Sequence, residues 1–429
     1  VREIGIGLIG CGIVGSGTAA LLTDNADLIA SRVGAKLVVR KIAVRDLSKI
    51  REVSIPTELF TTNVDDVISD PDIDIIAELV GGVDPAKAWI EAAFAAKKQV
   101  VTANKELMAK HGHALVQIAQ DNKLDFYAEG SVAGGIPIIA AMGESLAANR
   151  IQAVMGIVNG TTNFILSKMA DEGAGFDDVL REAQALGYAE ADPTADVDAH
   201  DARYKIAILA SIGFGTPVDE SSVISEGIRT ITARDIAVAK DLDHVIKLVA
   251  VAEQWEDQGT MHVRVHPALL HKDHPLASVN GAYNAVLVRG DGVGDTMFYG
   301  RGAGSLPTGS AVVGDLIAVS RNLVSGSTGR VHRPANANLR MLPRELVKSK
   351  FYVRMTAKDL PKVLSQVSNV FGDFDVSIES VIQRANNKDE AEIVLITHKC
   401  LEESFRGAVD VAERLPVVTG VHNWIRVEA

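Results

Sequence analysis

The sequence predicts an α/β chain that opens with a doubly wound parallel sheet, continues into an α+β region and closes with a compact module of alternating strands and helices. Three observations predict it. A glycine-rich hexad stands between an apolar run and an amphipathic stretch at the very start; strands then alternate with helices; and the chain ends in the order strand, helix, strand, strand, helix, strand. At 429 residues the chain is longer than one core spans, so two or three domains are expected. A hydrophobic fraction of 47% with 23% charged residues suits a soluble globular protein, and no apolar run is long enough to span a bilayer. The net charge of −12 argues against a nucleic-acid partner. Cys11 and Cys400 have no partners at metal or redox spacing, which fits a reducing cytoplasm. Val1-Arg2-Glu3 leads directly into a strand pattern rather than a signal peptide.

Ile4 to Ile9 form the first apolar run. Gly10-Cys11-Gly12-Ile13-Val14-Gly15 then matches G-x-G-x-x-G and opens an amphipathic segment through Leu22. The hexad is weak alone, but with a strand before it and a helix after it the stretch reads as the dinucleotide turn of a Rossmann-like domain. Its glycines permit a tight turn and let the backbone approach a pyrophosphate, whose charge the helix N-terminus favours. Cys11 is a small residue filling an x position. A second strand, Leu37 to Val44, ends at Arg45-Asp46. An acidic residue there takes the ribose hydroxyls of NAD, whereas a basic one accommodates the extra phosphate of NADP. Arg45 comes first, with Arg40 and Lys41 nearby, and favours NADP; a solvated basic surface is the plain alternative.

A helix after Thr62, the strand Ile73 to Leu79 ending in Gly81-Gly82, the helix Pro85 to Lys97 and the strand Gln99 to Thr102 continue the alternation. Ligands of such sheets bind outside the carboxyl ends of the strands. Lys105, in Thr102-Ala103-Asn104-Lys105, is therefore expected at the nicotinamide end of the cofactor, unless it is only an exposed helix-start lysine. The strand Leu124 to Ala128 leads into Glu129 through Pro137, where small residues and one carboxylate either turn backbone carbonyls toward a hard cation or make a tight crossover. Ile151 to Val158 reads as a strand before Asn159-Gly160-Thr161-Thr162-Asn163, whose amides and hydroxyls either hold a small polar substrate or cap the next helix.

The stretch Gly187 to Lys205 holds five carboxylates and a terminal lysine. Glu190 to Asp198 lacks any period and contains Pro193, so a loop is expected. From Ala199 the pattern is helical: Ile206, Ile208, Leu209 and Ile212 make a buried stripe, and Asp201 and Lys205 share a face at i,i+4. On so apolar a helix both charges belong at the rim or in a cleft, as a catalytic pair or a surface ion pair.

Further on, His262 to Val265 and Ala285 to Val288 read as strands separated by loops. His262, His266, His271 and His274 cluster in sequence, but they straddle a strand end and a loop with no companion acid or cysteine at ligand spacing, so no metal is expected there. Gly300 to Thr308 is a glycine-rich loop entering a long apolar helix, Ala311 to Leu323, which returns the chain to the cofactor domain and presents amides, Gly302 among them, to the dinucleotide. Ser325 to Lys350 is polar, basic and broken by prolines, and reads as a linker. The last stretch runs Phe351 to Thr356, Leu360 to Phe371, Val376 to Gln383, Ala391 to His398, Leu401 to Leu415 and Val417 to Val427, a ferredoxin-like βαββαβ order. It shows no catalytic set, so a regulatory or oligomeric role is expected.

These motifs together resemble the homoserine dehydrogenases, in the longer form with a C-terminal ACT domain. The resemblance rests on Thr102 to Lys105, Glu129 to Pro137, Gly156 to Asn163 and Leu186 to Pro193 with Asp201 and Lys205, and it covers essentially the whole chain. It implies a Rossmann-like NAD(P)-binding domain over 1–130, completed by the helix around 305–325. A substrate-binding catalytic and dimerisation domain over 131–304, a linker over 325–350 and an ACT regulatory domain over 351–429 follow. The implied activity is NAD(P)-dependent interconversion of L-homoserine and aspartate 4-semialdehyde, in the branch toward threonine, isoleucine and methionine. Lys205 would be the proton donor, oriented by Asp201, with Lys105 close to nicotinamide and substrate. Glu190, Asp196 and Asp201, with Gly160, Thr161 and Tyr188, would bind homoserine. Gly10 to Gly15, Arg45, Lys105 and Gly302 would hold NADP(H), with NAD(H) as the alternative. Glu129, Val132, Gly134 and Ile136 would hold a sodium ion, an assignment that only the resemblance favours. A homodimer or homotetramer, a threonine effector at the ACT domain, and no nucleic-acid or membrane partner complete the expectation. Two rivals are another NADP-linked dehydrogenase of a small amino-acid aldehyde and a nucleotide-gated sensor, which leaves Glu190, Asp201 and Lys205 without a task.

Overall fold

The computed structural model describes residues 2–51, 55–329, 338–385 and 389–428. In chain order, β1 (Glu3–Ile9), α1 (Ile13–Asp24), α2 (Ala26–Val33), β2 (Lys36–Ala43), β3 (Phe60–Thr61), α3 (Asp65–Ile68), β4 (Ile75–Glu78), α4 (Ala86–Ala95), β5 (Gln99–Thr102), α5 (Lys105–Asp121) and β6 (Phe126–Tyr127) come first. Then follow α6 (Ile138–Ala140), β7 (Ile151–Ile157), α7 (Gly160–Glu172), α8 (Phe176–Ala185), α9 (Thr194–Val197), α10 (His200–Phe214), β8 (Ile224–Ser225) and α11 (Ala233–Asp241). The long strands β9 (His244–Trp255), β10 (Thr260–His271), β11 (Tyr283–Gly290) and β12 (Gly294–Arg301) precede α12 (Ser305–Ser325) and β13 (Arg340–Met341). Last come β14 (Lys348–Lys358), α13 (Val363–Asp373), β15 (Ile378–Ala385), β16 (Glu390–Thr397), β17 (Cys400–Leu401), α14 (Glu402–Glu413) and β18 (Val418–Glu428).

The chain forms two compact units, one of 1–154, 203–223 and 283–338, the other of 155–202, 224–282 and 339–429. The first carries a parallel sheet in the order β3-β2-β1-β4-β5-β6. This is the doubly wound order of a dinucleotide fold, with the reversal between β1 and β4. Its strands are continuous apolar runs because both faces are covered. Ile4, Ile6 and Leu8 meet Leu22, Val33 and, from α12, Val312, Leu316 and Val319 on one side. On the other, Ile9, Ile73 and Ile76 pack with Ile90, Phe94, Leu107 and Leu115. Helix α12 crosses α1 almost without side chains between them: a Cβ on Gly17 would lie 2.1 Å from the Ser305 carbonyl oxygen, and one on Gly309 would lie 2.8 Å from the Gly17 carbonyl carbon.

In the second unit β9 and β10 pair antiparallel over their full length. The other edge of β10 is covered piecewise by parallel partners: β13 at Thr260 and Met261, β8 at Arg264 and Val265, and β18 at Ala268 to Leu270. Strand β18 also opens the order β18-β14-β16-β15, so the closing βαββαβ module extends the same sheet. Phe351 and Phe405 stack at 3.8 Å in its core, with Trp424 edge-on.

Three local expectations are corrected. The loop expected from Glu190 to Asp198 contains the single turn α9, because Pro193 sets the turn's entry and the Asp192 carboxylate accepts from the Thr194 amide at 3.1 Å. Helix α12 runs Ser305–Ser325, the span the resemblance implied, and starts six residues before the apolar run Ala311 to Leu323 read as its helix. His262, His266 and His271 all lie on β10, with only His274 beyond it; twelve residues paired with β9 make one strand where a strand end and a loop were expected. No described helix is long and apolar enough to cross a membrane.

Candidate active site

In the first unit the strand ends of the parallel sheet build a cradle. Gly10 has φ +102°, a conformation that only glycine adopts readily. A Cβ on Gly15 would meet the Gly10 carbonyl oxygen at 2.4 Å, whereas one on Gly12 would meet nothing within 4 Å. The space at Gly12 is thus open, and α1 starts there with no side-chain cap and no acid in its first turn. Its leading amides are left for an anion, so the turn fits a pyrophosphate. Cys11 is buried, with its sulfur 3.7 Å from the Ser16 hydroxyl, while Ile13 is 74% exposed. Past β2, Arg45 is exposed. Asp46 is engaged in its own turn: its Oδ1 accepts from the Ser48 amide at 2.8 Å and the Ser48 hydroxyl at 2.6 Å, and these bonds, the hydroxyl's first, hold its carboxyl below the usual range.

Neighbouring strand ends are tied together by Glu78, which is fully buried. Its Oε1 accepts from the Val80 amide at 2.8 Å and its Oε2 from the Thr102 hydroxyl at 2.7 Å. Asn104 caps α5 by accepting from the Leu107 amide at 3.1 Å and donates to the Gly82 carbonyl at 2.6 Å. Lys105, the first residue of α5, is exposed at this edge. The sequence did not single out Glu78 or Asn104, although an acid closing an apolar strand before two glycines was the available signal.

Downstream, both carboxylate oxygens of Glu129 accept backbone amides, from Ile139 at 2.8 Å and Ala140 at 2.7 Å. Ala133 and Gly134 both have left-handed φ, +54° and +53°. The turn is tied by its own backbone, the carbonyls of Glu129, Ala133 and Ile136 accepting amides from Val132, Ile136 and Ile138, and a segment so rich in small residues is able to present oxygens to a hard cation. Gly302 packs against this turn: a Cβ on Gly134 would lie 2.5 Å from the Gly302 carbonyl oxygen, and one on Gly302 would overlap the Asn284 amide. Close packing alone demands glycine at 302.

In the second unit Asn159 is the organising residue. It caps α7, its Oδ1 accepting from the Thr162 amide at 2.9 Å, and its Nδ2 donates to Asp196 Oδ1 at 2.7 Å and Asp201 Oδ2 at 2.9 Å. One amide thus brings two of the expected substrate acids together beside a helix N-terminus, whose first amides belong to Gly160 and Thr161. The Thr161 hydroxyl donates to the Tyr188 carbonyl at 2.7 Å, so its side chain is already engaged. The Tyr188 ring is half exposed and lies 4.6 Å from that of Phe164. Glu190 is exposed, and Gln184 holds its main-chain carbonyl at 3.1 Å. Ala199, at φ +66°, turns the chain into α10, which carries Asp201 at 3% exposure and, one turn on, where the helix belongs to the first unit, Lys205 at 8%. Both are buried, as the apolar pattern around them demands.

Helix α7 is braced from β9 by Lys247, which donates to Asn163 Oδ1 at 3.1 Å, the Val279 carbonyl at 2.7 Å and Asn280 Oδ1 at 2.9 Å. Burial pushes this ammonium down to about 8. Sequence reasoning missed it, though a lysine inside Val245-Ile246-Lys247-Leu248-Val249 was a signal. Among the histidines, burial takes His262 down to about 3, and His266 Nε2 lies 3.1 Å from the Glu428 carboxylate.

Three family models match the chain: the NAD-binding domain of homoserine dehydrogenase over 10–129, homoserine dehydrogenase over 137–317, and the ACT domain over 351–417. A homoserine dehydrogenase of Synechocystis is 46% identical over 433 aligned positions, covering 98% of this chain and 99% of the relative. Among solved structures, a homoserine dehydrogenase from Thiobacillus denitrificans superposes with a TM-score of 0.92 at 44% identity, covering 100% of this chain and 98% of the other. A hyperthermophilic archaeal homoserine dehydrogenase in complex with NADPH gives a TM-score of 0.62 at 27% identity, over 74% of this chain and 98% of its own.

Proposed function

The chain belongs to the homoserine dehydrogenase family, and from that premise we propose how its residues share the reaction. The activity is the NAD(P)-dependent interconversion of L-homoserine and aspartate 4-semialdehyde. The dinucleotide supplies or accepts the hydride; the protein must bind the amino acid, orient it and move one proton. In the direction of reduction the aldehyde oxygen becomes an alkoxide, and the Lys205 ammonium donates the proton it needs while stabilising its charge. Asp201, one turn earlier on α10, orients Lys205 and contacts substrate. Glu190, Asp196 and Asp201 face the substrate ammonium with negative charge. The amides of Gly160 and Thr161 take its carboxylate, favoured by the N-terminus of α7, with Tyr188 beside them. Lys105 serves nicotinamide and substrate together.

The dinucleotide is held by Gly10, Cys11, Gly12, Ile13, Val14 and Gly15, with Gly302 on the return to α12. NADP is the preferred form: Arg45 is exposed at the strand end while Asp46 is committed to Ser48, and a relative is described in complex with NADPH. Glu129, Val132, Gly134 and Ile136 would hold a sodium ion. Residues 1–130 with the helix around 305–325 form the cofactor domain, 131–304 the catalytic and dimerisation domain, 325–350 a linker and 351–429 the regulatory domain. The enzyme works in the cytoplasm as a homodimer or homotetramer, in the branch toward threonine, isoleucine and methionine, and the ACT domain takes threonine as effector.

The observation that carries this reading is the pair Asp196 and Asp201 tethered by one amide at the open N-terminus of α7. The test is purified protein with L-homoserine and each dinucleotide in turn, following formation of the reduced nicotinamide. Homoserine-dependent reduction, faster with NADP, is expected, and Arg45→Ala should weaken NADP with little effect on NAD. Stoichiometric dinucleotide binding without homoserine-dependent reduction would instead favour a sensor.

A further inference from the structure

We propose that the ACT module is a working part of the substrate site: through Glu226 it positions the segment that carries Asp196 and Asp201, so Glu226 and Arg229 are positioning residues for the reaction. The inference rests on the reading of those two acids as substrate ligands, and it deepens that reading by giving the site a mechanical connection to the regulatory module.

The connection starts in the module's most buried charges, Arg426 on β18 and Glu402 at the head of α14, each 2% exposed. Arg426 donates to Glu402 Oε2 at 2.8 Å and to Glu226 Oε2 at 2.7 Å. Arg344 bonds both Glu402 and Glu226, and Arg406 reaches Glu402 at 2.9 Å and Glu226 at 3.6 Å. Glu226 thus shares three arginines with a carboxylate of the ACT module. Burial pushes its carboxyl up, but Arg426 outweighs this and holds it at about 2. Its own backbone is fixed to β10, its amide donating to the Val265 carbonyl at 2.8 Å.

From Glu226 the next three residues grip the acid segment. Gly227 lies backbone to backbone against it: a Cβ there would be 2.2 Å from the Val197 carbonyl oxygen and 2.8 Å from Asp198 Cα. The Ile228 amide donates to that same Val197 carbonyl at 2.9 Å. Arg229 forks onto Asp198, Nε to Oδ1 at 2.7 Å and Nη2 to Oδ2 at 3.3 Å. A second tie runs from β18, where Asn423 Nδ2 donates to the Thr230 carbonyl at 3.0 Å. Val197 and Asp198 stand between Asp196 and Asp201, and the left-handed Ala199 leaves that turn little freedom to absorb a shift. A displacement of β18 or α14 is therefore transmitted to the two carboxylates through charge-assisted bonds and a backbone contact, with no flexible element between.

The experiment is steady-state kinetics on the full chain, wild type against Glu226→Gln, Arg229→Gln and Arg229→Lys, with Asp201→Asn measured in parallel. Arg229 is half exposed, so its variants keep the fold even where Glu226→Gln is unstable. Glu226→Gln and Arg229→Gln are expected to raise the KM for homoserine about two- to thirtyfold, the range of mutations along a coupled path. The KM for the dinucleotide should be unchanged, kcat should fall by less than the homoserine KM rises, and Arg229→Lys should restore part of the loss. An unchanged homoserine KM in Arg229→Gln, or an equal rise in both KM values, overturns the positioning role. If Asp201→Asn itself leaves homoserine kinetics at wild-type values, the substrate reading of the acids fails and the inference falls with it.

Discussion

Asn159 concentrates at one residue a choice that its sequence motif left open. The polar turn Asn159 to Asn163 reads either as a substrate holder or as a helix cap; the structure shows the cap, and the same side chain ties the two acids proposed to meet the substrate. Oδ1 caps α7, and Nδ2 tethers Asp196 and Asp201. The two tasks separate by substitution. Serine caps a helix about as well as asparagine but lacks the second donor, so Asn159→Ser should keep thermal stability near wild type while the KM for homoserine rises. Asn159→Ala should lose both, with roughly 1 kcal/mol of stability gone from the cap alone. Thermal melts and kinetics on the pair decide it; wild-type homoserine affinity in Asn159→Ser would show the tether to be idle. Aspartate 201 and lysine 205 were legible because two charges on an otherwise apolar helix must find a cleft. Glu78 and Lys247 stood out only as charges inside apolar strands, and the partners that give Lys247 its place, Asn163 and Val279, lie far away in sequence.

Among the elements, the crossing of α1 and α12 decides whether the dinucleotide turn keeps its shape. The hexad sits at the N-terminus of α1, and a Cβ on Gly17 would lie 2.1 Å from the Ser305 carbonyl oxygen. Gly17→Ala must therefore push the helices apart, an overpacking that costs about 1–3 kcal/mol. A lower melting temperature together with weaker dinucleotide binding, at unchanged homoserine KM, is the expected outcome. Loss of stability without any change in dinucleotide affinity would detach the turn from the crossing. Much at this scale was legible in advance. The parallel sheet followed from the alternation of strands with helices, and β14, β15, β16 and β18 from the closing strand and helix order. What escaped was set by pairing between distant segments: β8 and β13 are two residues each, too short for any period to reveal, and both are strands only because β10 offers them an edge. Turn α9 escaped because a proline among acids signals a loop equally well.

For the molecule as a whole, the closing module is less detachable than a regulatory domain that never touches the chemistry would be. Its last strand continues the sheet of β10. Arg264, at 4% exposure, is held by Glu428 at 2.7 Å and Glu253 at 3.2 Å, while Glu428 is kept far below the usual carboxyl range by Arg264 and His266 in spite of burial. Truncation after Ser349 removes Glu428, Arg426 and Glu402 together. Stripping one partner from a buried ion pair costs about 3–5 kcal/mol, a large share of a typical total stability of about 5–15 kcal/mol. The truncated chain is expected to melt well below the full one and to bind homoserine more weakly; equal melting temperatures would show the module to be detachable. Lys205 is buried on an apolar helix, one turn after Asp201, which Asn159 tethers, and the proposed reaction gives it the proton transfer. Single-turnover and steady-state rates of homoserine oxidation in Lys205→Ala, with dinucleotide binding measured on the same sample, test it most directly. The prediction is intact dinucleotide binding with turnover lowered about 10²–10⁴-fold; near-normal turnover in that variant would contradict it.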